Sequence, residues 1–144
     1  MKHSHIFFAA LLIVGFAVSG YAQKRKPAGF CPRGVTQADL NECAAEELRK
    51  TDAELNRVYQ QLLAANKDDQ NFIDKLKAAQ RAWLSFRDAQ LEALYPAPDP
   101  QSQYGSVFPM CYSLAKAELT AERTKHLQRM LKGREGDVCN WDVH

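Results

Sequence analysis

The chain has 144 residues, with 19 lysines and arginines against 17 aspartates and glutamates. This balanced charge excludes the basic footprint of a nucleic-acid-binding protein, so we expect no nucleic-acid partner. Without the N-terminal segment described next, about 120 residues remain, which is enough for one domain with one hydrophobic core.

The N-terminal segment has the pattern of a secretory signal peptide. Lys2 precedes an uncharged apolar run over residues 6–18, and small residues follow at positions 20 and 22, which a signal peptidase inspects. The run is shorter than the roughly 20 residues that cross a bilayer. We therefore predict a cleaved signal peptide over residues 1–22 and a periplasmic or secreted chain without stable membrane insertion, with an uncleaved anchor as the alternative.

Residues 23–35 are predicted to be an N-terminal linker. Three consecutive basic residues, 24–26, stand there beside a proline and a glycine, which is typical of a solvated segment. Three charges are too few to hold a protein on a membrane. A lipid anchor on Cys31 is disfavoured, because Phe30 stands where a lipobox has a small residue.

The first predicted helix covers residues 36–65. Thr36 is suited to the N-cap, and Asp39 is favourable in the first turn beside the positive end of the helix. Asn66 is suited to a left-handed C-cap. Apolar positions recur every three or four residues between these signals, and they predict an inner face of Leu40, Ala44, Leu48, Thr51, Leu55, Val58 and Leu62.

The second predicted helix covers residues 70–94 and ends before Pro96 and Pro98. Trp83 and Phe86 are predicted core residues, while Gln80 and Arg87 lie at the edge of the apolar face as structural polar residues. A ligand or partner site on this face is the alternative interpretation. The predicted face consists of Phe72, Leu76, Ala79, Trp83, Phe86 and Leu94.

Residues 95–108 form the one long irregular segment, with three prolines, one glycine and two tyrosines. Such a loop is usually functional or loosely ordered, and its prolines favour a fixed shape. A third helix is predicted from Pro109 to Lys132, before Gly133, and residues 133–144 form a tail. The predicted inner face of this helix is Met110, Leu114, Ala117, Ala121, Thr124 and Leu131.

Short turns predict an all-α, up-down-up three-helix bundle in which the first and third helices run the same way. Four cysteines in an exported chain favour two disulfides. The geometry favours Cys43–Cys111 with Cys31–Cys139, and the pairing of Cys31 with Cys43 and of Cys111 with Cys139 remains open. Zinc is disfavoured, because only two histidines remain after cleavage and no Cys-x-x-Cys pair is present.

The sequence lacks the residue patterns of a catalyst. No nucleophile turn, phosphate loop or metal motif is present, and the acidic pairs Glu46–Glu47 and Glu118–Glu122 are predicted to lie on solvated helix faces. We therefore predict a binding or structural module that is not an enzyme and has no cofactor and no metal.

Several motifs resemble the family of LprI-like lysozyme-inhibitor N-terminal domains. In chain order they are Cys43, DAELNRVY at 52–59, LKAAQRAWLSFRD at 76–88, Gly105-Ser106, Cys111, and Leu119-Thr120 followed by Arg123 and Leu127. The resemblance covers about residues 31–131, and it implies a small, exported, helical, disulfide-bonded bacterial domain, here residues 36–132. Family members commonly carry a cysteine just after the Phe-Arg-Asp motif, where this chain has Gln90 and Leu91. The remaining polar positions of these motifs, Asn56 and Arg123, are predicted to be structural like Gln80 and Arg87.

The resemblance implies a protein partner, with a lysozyme as the candidate. An inhibitor needs a protruding, preorganised segment whose donors meet the carboxylates of the glycosidase cleft. The candidate is the 95–108 segment, with Tyr104 as anchor and with Ser106 and the backbone N–H groups near Gly105 as donors. The alternatives are a loop that only connects two helices, and an envelope adaptor that binds another protein through the helix face around Arg87 and Arg123. The sequence does not fix the partner or the oligomeric state.

Overall fold

The structure is a computed structural model that describes residues 36–132. The predicted signal peptide, the linker and the C-terminal tail lie outside the described residues. The described part is all-helical, without strands. Its elements are α1 (Gln37–Ala65), α2 (Gln70–Leu94), the short α3 (Pro100–Tyr104), a 3₁₀ turn (Gly105–Val107) and α4 (Phe108–Lys132).

The predicted starts of the first two helices are confirmed, and α4 begins at Phe108, one residue before the predicted Pro109. Thr36 and Asp39 form a capping box in which the Asp39 N–H donates to Thr36 Oγ1 at 3.2 Å and the Thr36 N–H donates to Asp39 Oδ2 at 2.9 Å. Asp69 caps α2 by accepting from the Phe72 N–H at 2.9 Å. Asn66 ends α1 with a φ of −118°, so the predicted left-handed C-cap is wrong; its side-chain amide instead donates to the Leu62 carbonyl at 2.8 Å.

Contacts between the helices define their directions. Gln37 of α1 contacts Met110 of α4, and Gln128 of α4 donates to Glu54 of α1, so partner numbers rise together and the two helices run parallel. Between α2 and α4 partner numbers run in opposite senses, since Arg123 bonds to Gln80 while Tyr95 packs on Phe108. The described helices therefore run up, down and up, as short turns predict.

The core lies where the three long helices meet. Its buried members are Leu55, Val58, Leu62, Leu76 and Leu127, and half-buried apolar side chains surround them: Tyr59, Leu63, Phe72, Trp83 and Met130. Helix α4 packs most extensively on α1. Ala117 is fully buried, as predicted, and its small side chain allows the two helices to approach closely.

The inner face of α4 differs in part from the prediction. Thr124 is buried as predicted, but Leu131 is 37% exposed in the last turn of the helix. Thr120 and Leu127 are buried instead. These residues continue the stripe of Ala117 and Thr124 at three- and four-residue steps, which keeps it turned towards the other helices.

The inner face of α2 is rotated from the predicted face by about 60°. Phe86, predicted to be core, is 56% exposed, and Leu94 is 51% exposed. The buried residues are Leu76, Arg87 and Leu91. The prediction followed apolar character alone and placed Arg87 at the edge, whereas its guanidinium finds partners inside the bundle, described below.

The predicted disulfide arrangement is wrong at Cys111, which carries a free thiol. Both predicted pairings place Cys111 in a bridge, so two disulfides are not supported. Cys43 is disulfide-bonded, but not to Cys111. The α1–α4 contacts place Cys43 level with residues 116–117 of α4. Cys111 lies a further five or six residues along the axis, about 8 Å, which exceeds the roughly 7 Å that a bridge spans between Cα atoms. Cys31 and Cys139 lie outside the described residues.

None of the helices between residues 36 and 132 has a stretch long and apolar enough to cross a membrane.

Candidate protein-binding site

The segment between α2 and α4 is more ordered than an irregular loop. Asp99 caps α3 by accepting from the Ser102 N–H at 3.2 Å, and Pro100 occupies the first turn, where its missing N–H has no cost. Gly105 ends α3 with a φ of 67°, in the left-handed region that favours glycine. The Gln101 side-chain amide closes the turn by donating to the Gly105 carbonyl at 3.1 Å.

Four aromatic residues within and next to this segment pack against one another, and we call them the aromatic cluster: Tyr95, Tyr104, Phe108 and Tyr112. The Tyr95 ring lies 5.6 Å from Tyr104 and 5.3 Å from Phe108, both edge to face. Tyr104 also stacks on Phe108 at 5.9 Å. Burial raises the pKa of Tyr95, with smaller contributions from Cys111 and Tyr104, so its hydroxyl stays protonated at neutral pH.

The aromatic cluster changes the role of Tyr104. Its ring is half-buried and contacts both Tyr95 and Phe108, so it stabilises the conformation of the segment. Aromatic pairs of this geometry contribute about 0.5–1.5 kcal/mol each beyond the area that they bury. Tyr104 therefore fixes the turn and offers a partner only the outer part of its surface.

A polar contact fixes the tip of the turn to α1. The Asn41 side-chain amide donates to the Ser106 carbonyl at 3.1 Å, and Gln37 donates to the Asn41 oxygen at 2.9 Å. This contact uses only the backbone of Ser106. The side chains of Gln103, Ser106 and Val107 remain exposed.

The exposed surface of the turn combines neutral donors with one apolar side chain. The Gln103 amide and the Ser106 hydroxyl can donate hydrogen bonds to an acceptor on a partner, and Val107, 38% exposed, adds apolar area between helices α3 and α4. Asp99 is the one side chain of residues 96–107 that is charged at neutral pH. We call residues 99–107 the binding turn.

A second group of polar residues joins the helices around Trp83. The Arg87 guanidinium carbon lies 5.3 Å from the centre of the Trp83 ring, and that of Arg123 lies 5.9 Å away. Arg87 Nε donates to Asp88 at 3.0 Å, and its Nη1 lies 3.8 Å from Asp52 on α1. These cation–π and ionic contacts link all three long helices.

This arrangement separates the predicted polar residues into two groups. Gln80, Arg87 and Arg123 come together around Trp83. Asn56 is exposed on α1 and does not join them. Sequence reasoning missed Asp52, although it lies in the DAELNRVY motif; the signal was an acidic residue at the edge of an otherwise apolar face.

The described residues contain no group of three or more potential metal ligands.

Comparisons with known proteins agree with the resemblance that the motifs carry. A family model described as "Lysozyme inhibitor LprI" matches residues 31–127. An uncharacterised protein of Rhizobium meliloti (strain 1021) is 35% identical over 125 residues, which cover 79% of this chain and 87% of that protein. No solved structure matches the chain. The chain belongs to the LprI lysozyme inhibitor family.

Proposed function

We propose that this protein is an exported inhibitor of lysozyme-type peptidoglycan glycosidases and that its binding turn enters the enzyme cleft. Membership of the LprI family supports a lysozyme as the class of partner. The choice of the binding turn as the surface is supported by its fixed conformation, which contacts with the aromatic cluster and with Asn41 stabilise.

The chemistry of a glycosidase cleft suits the binding turn. The cleft is concave and depends on two carboxyl groups, so a ligand needs a narrow protrusion with hydrogen-bond donors. Gln103 and Ser106 supply neutral donors at the tip. A cleft carboxylate that accepts such a bond keeps a hydrogen-bond partner when the complex buries it. The neutral donors bring no charge of their own that would need a partner in the cleft.

Preorganisation supports tight binding by the same turn. Ordering a flexible side chain on association costs about 0.5–1.5 kcal/mol, and ordering a loop costs more. The Asn41 contact, the Gly105 closure and the ring contacts of Tyr104 exist before any partner arrives. The turn therefore loses little conformational entropy when it binds.

The helix face around Arg87 and Arg123 is less suited to a partner. Arg87 is only 9% exposed, and its guanidinium is committed to Trp83, Asp52 and Asp88. An adaptor that used this face would have to break contacts that hold the bundle together. Export follows from the proposal, because peptidoglycan lies outside the cytoplasmic membrane, and residues 1–22 have the pattern of a signal peptide.

The proposal is tested by measuring hydrolysis of bacterial cell walls by a panel of lysozymes with increasing amounts of the purified protein. We expect saturable inhibition of at least one lysozyme near one-to-one stoichiometry. No inhibition across the panel at a large molar excess would contradict the proposed function.

Paired variants then test the surface. The double change Gln103→Ala and Ser106→Ala removes exposed donors but leaves the Ser106 carbonyl and the aromatic cluster in place, so we expect inhibition to weaken at least about tenfold. The control is Gln60→Ala with Gln61→Ala, which alters two exposed glutamines on α1. Equal inhibition by both double variants would exclude the binding turn.

A further inference from the structure

Helix α2 carries a second apolar stripe that faces away from the core. We call it the Phe86 face, and its members are all exposed: Ala79, Ala82, Phe86, Ala89 and Ala93. Phe86 is 56% exposed, more than any other large hydrophobic side chain of the described residues. The steps of three, four, three and four residues are those of the seam between two packed helices.

The bundle itself does not use this face. The residues that α2 buries, Leu76, Arg87 and Leu91, lie about 120° around the helix from the Phe86 face. Ring burial is a large favourable contribution to association, so a phenylalanine at the centre of such a seam indicates a contact surface.

The Phe86 face is nearly symmetric about its centre. Two alanines lie seven and four residues before Phe86, and two lie three and seven residues after it. In an antiparallel pair related by a two-fold axis, Ala79 of one chain would lie level with Ala93 of the other, and Ala82 level with Ala89. The small alanines allow the helices to approach closely and leave room for both phenylalanine rings.

Two exposed residues of opposite charge lie on one flank of the Phe86 face, at nearly equal distances before and after Phe86. Arg81 lies five residues before Phe86 and Glu92 lies six residues after it, and both side chains are exposed. Within residues 36–132, the ion pairs of α2 are those of Arg87, so neither Arg81 nor Glu92 is paired there. A two-fold axis at Phe86 keeps both residues on the same flank and brings Arg81 of each copy beside Glu92 of the other.

From these observations we propose that a second copy of this chain docks on the Phe86 face, with the two α2 helices antiparallel and with two Arg81–Glu92 ion pairs across the interface. One helix pair buries less than the roughly 1,200 Å² of a standard interface, so the dimer is weak, with a dissociation constant on the order of micromolar.

This dimer goes beyond the proposed inhibition and is independent of it. The binding turn follows the C-terminal end of α2, and Leu94 lies about 12 Å along the helix from Phe86. An antiparallel pair therefore places the two binding turns at opposite ends, roughly 24 Å or more apart, where each can bind its own partner. Either proposal can fail without the other.

The first experiment is sedimentation equilibrium of the full exported chain over concentrations from about 1 μM to about 1 mM. We expect a monomer–dimer equilibrium that Phe86→Glu weakens at least a hundredfold. The control is Leu84→Glu, which places the same charge at a 37% exposed residue on the opposite side of α2 and should leave the equilibrium unchanged. A monomer at every concentration, or equal dimerisation of the Phe86→Glu variant, would overturn the proposal.

A charge exchange tests the arrangement of the two copies. Arg81→Glu and Glu92→Arg should each weaken the dimer about tenfold, because each replaces two attractive pairs by two repulsive ones. The double variant restores opposite charges and should recover the original dissociation constant. Circular dichroism checks that every variant is folded. Failure of the double variant to recover would overturn the antiparallel arrangement.

Discussion

Arg123 Nε donates a 3.1 Å hydrogen bond to Gln80 Oε1, and this bond joins α4 to α2 beside the Trp83 ring. Burial lowers the pKa of Arg123, yet the guanidinium remains charged at any physiological pH. A half-buried charge needs an acceptor, and Gln80 supplies one without introducing a second charge. This relationship explains why a glutamine stands at the centre of the inner face of α2.

We predict that Gln80→Ala lowers the free energy of unfolding by about 1 kcal/mol, because it leaves the Arg123 Nε without its acceptor. The measurement is urea denaturation. Gln60→Ala removes an exposed glutamine from α1 and should change the free energy of unfolding by less than about 0.5 kcal/mol. Equal effects of the two changes would show that the interhelical bond contributes nothing.

The two large aromatic residues of α2 should differ sharply in their contribution to stability. Trp83 packs against the core and contacts two guanidinium groups, so Trp83→Ala should cost about 3 kcal/mol. Phe86→Ala should cost less than about 1 kcal/mol when measured on the monomer, because the ring is mostly exposed. Thermal unfolding at low protein concentration compares the two, and a larger loss for Phe86→Ala would contradict the orientation of α2.

Cys111 should react with alkylating reagents in the folded, unreduced protein, because its thiol is free and half-exposed. Peptide mapping after iodoacetamide treatment should find the label on Cys111 and not on Cys43, which is disulfide-bonded. Cys111→Ser is the control and should abolish labelling at this position. A Cys111 peptide found in a disulfide would contradict the structure.

The binding turn should lose order in acid. Ser102 lowers the pKa of Asp99 below its ordinary value, through its side chain and then its backbone N–H. A lowered folded-state pKa stabilises the turn above the unfolded pKa, near 3.9, and this contribution is lost as the pH falls through the folded-state pKa. Amide exchange at Ser102 should therefore quicken, relative to the intrinsic rate, below about pH 4.

Asp99→Asn separates this effect from general acid unfolding. Asparagine is also a good N-cap residue, but it does not titrate. The variant should keep the turn ordered at neutral pH and lose the acid-dependent change at Ser102. The same acid profile in both proteins would assign the change to another group.

Local sequence signals were sufficient for the bounds of α1 and α2 but missed α3, which lies in the segment predicted to be irregular. The start of α1 is predicted by Thr36 with Asp39, and the end of α2 is predicted by the two prolines after Tyr95. In the structure, α1 and α2 begin and end within one residue of the predicted bounds. The parallel course of α1 and α4 followed from turn lengths. These features depend on interactions of short range along the chain.

The features that were missed depend on contacts between distant residues. The rotation of α2 depends on Asp52 and Trp83 meeting Arg87, which periodicity of apolar residues does not encode. Tyr104 stabilises the binding turn because its ring contacts those of Tyr95 and Phe108. The Cys43–Cys111 error arose because sequence places both residues near helix starts but does not give the axial offset between the helices.

The measurement that most directly tests the proposed function is amide hydrogen exchange of this protein with and without an equimolar lysozyme that it inhibits. We predict new protection concentrated in residues 99–107, with the amides of α1 and of the Phe86 face unchanged relative to the lysozyme-free protein at the same concentration. Protection centred on α1 or α2, with the binding turn exchanging as before, would contradict the account.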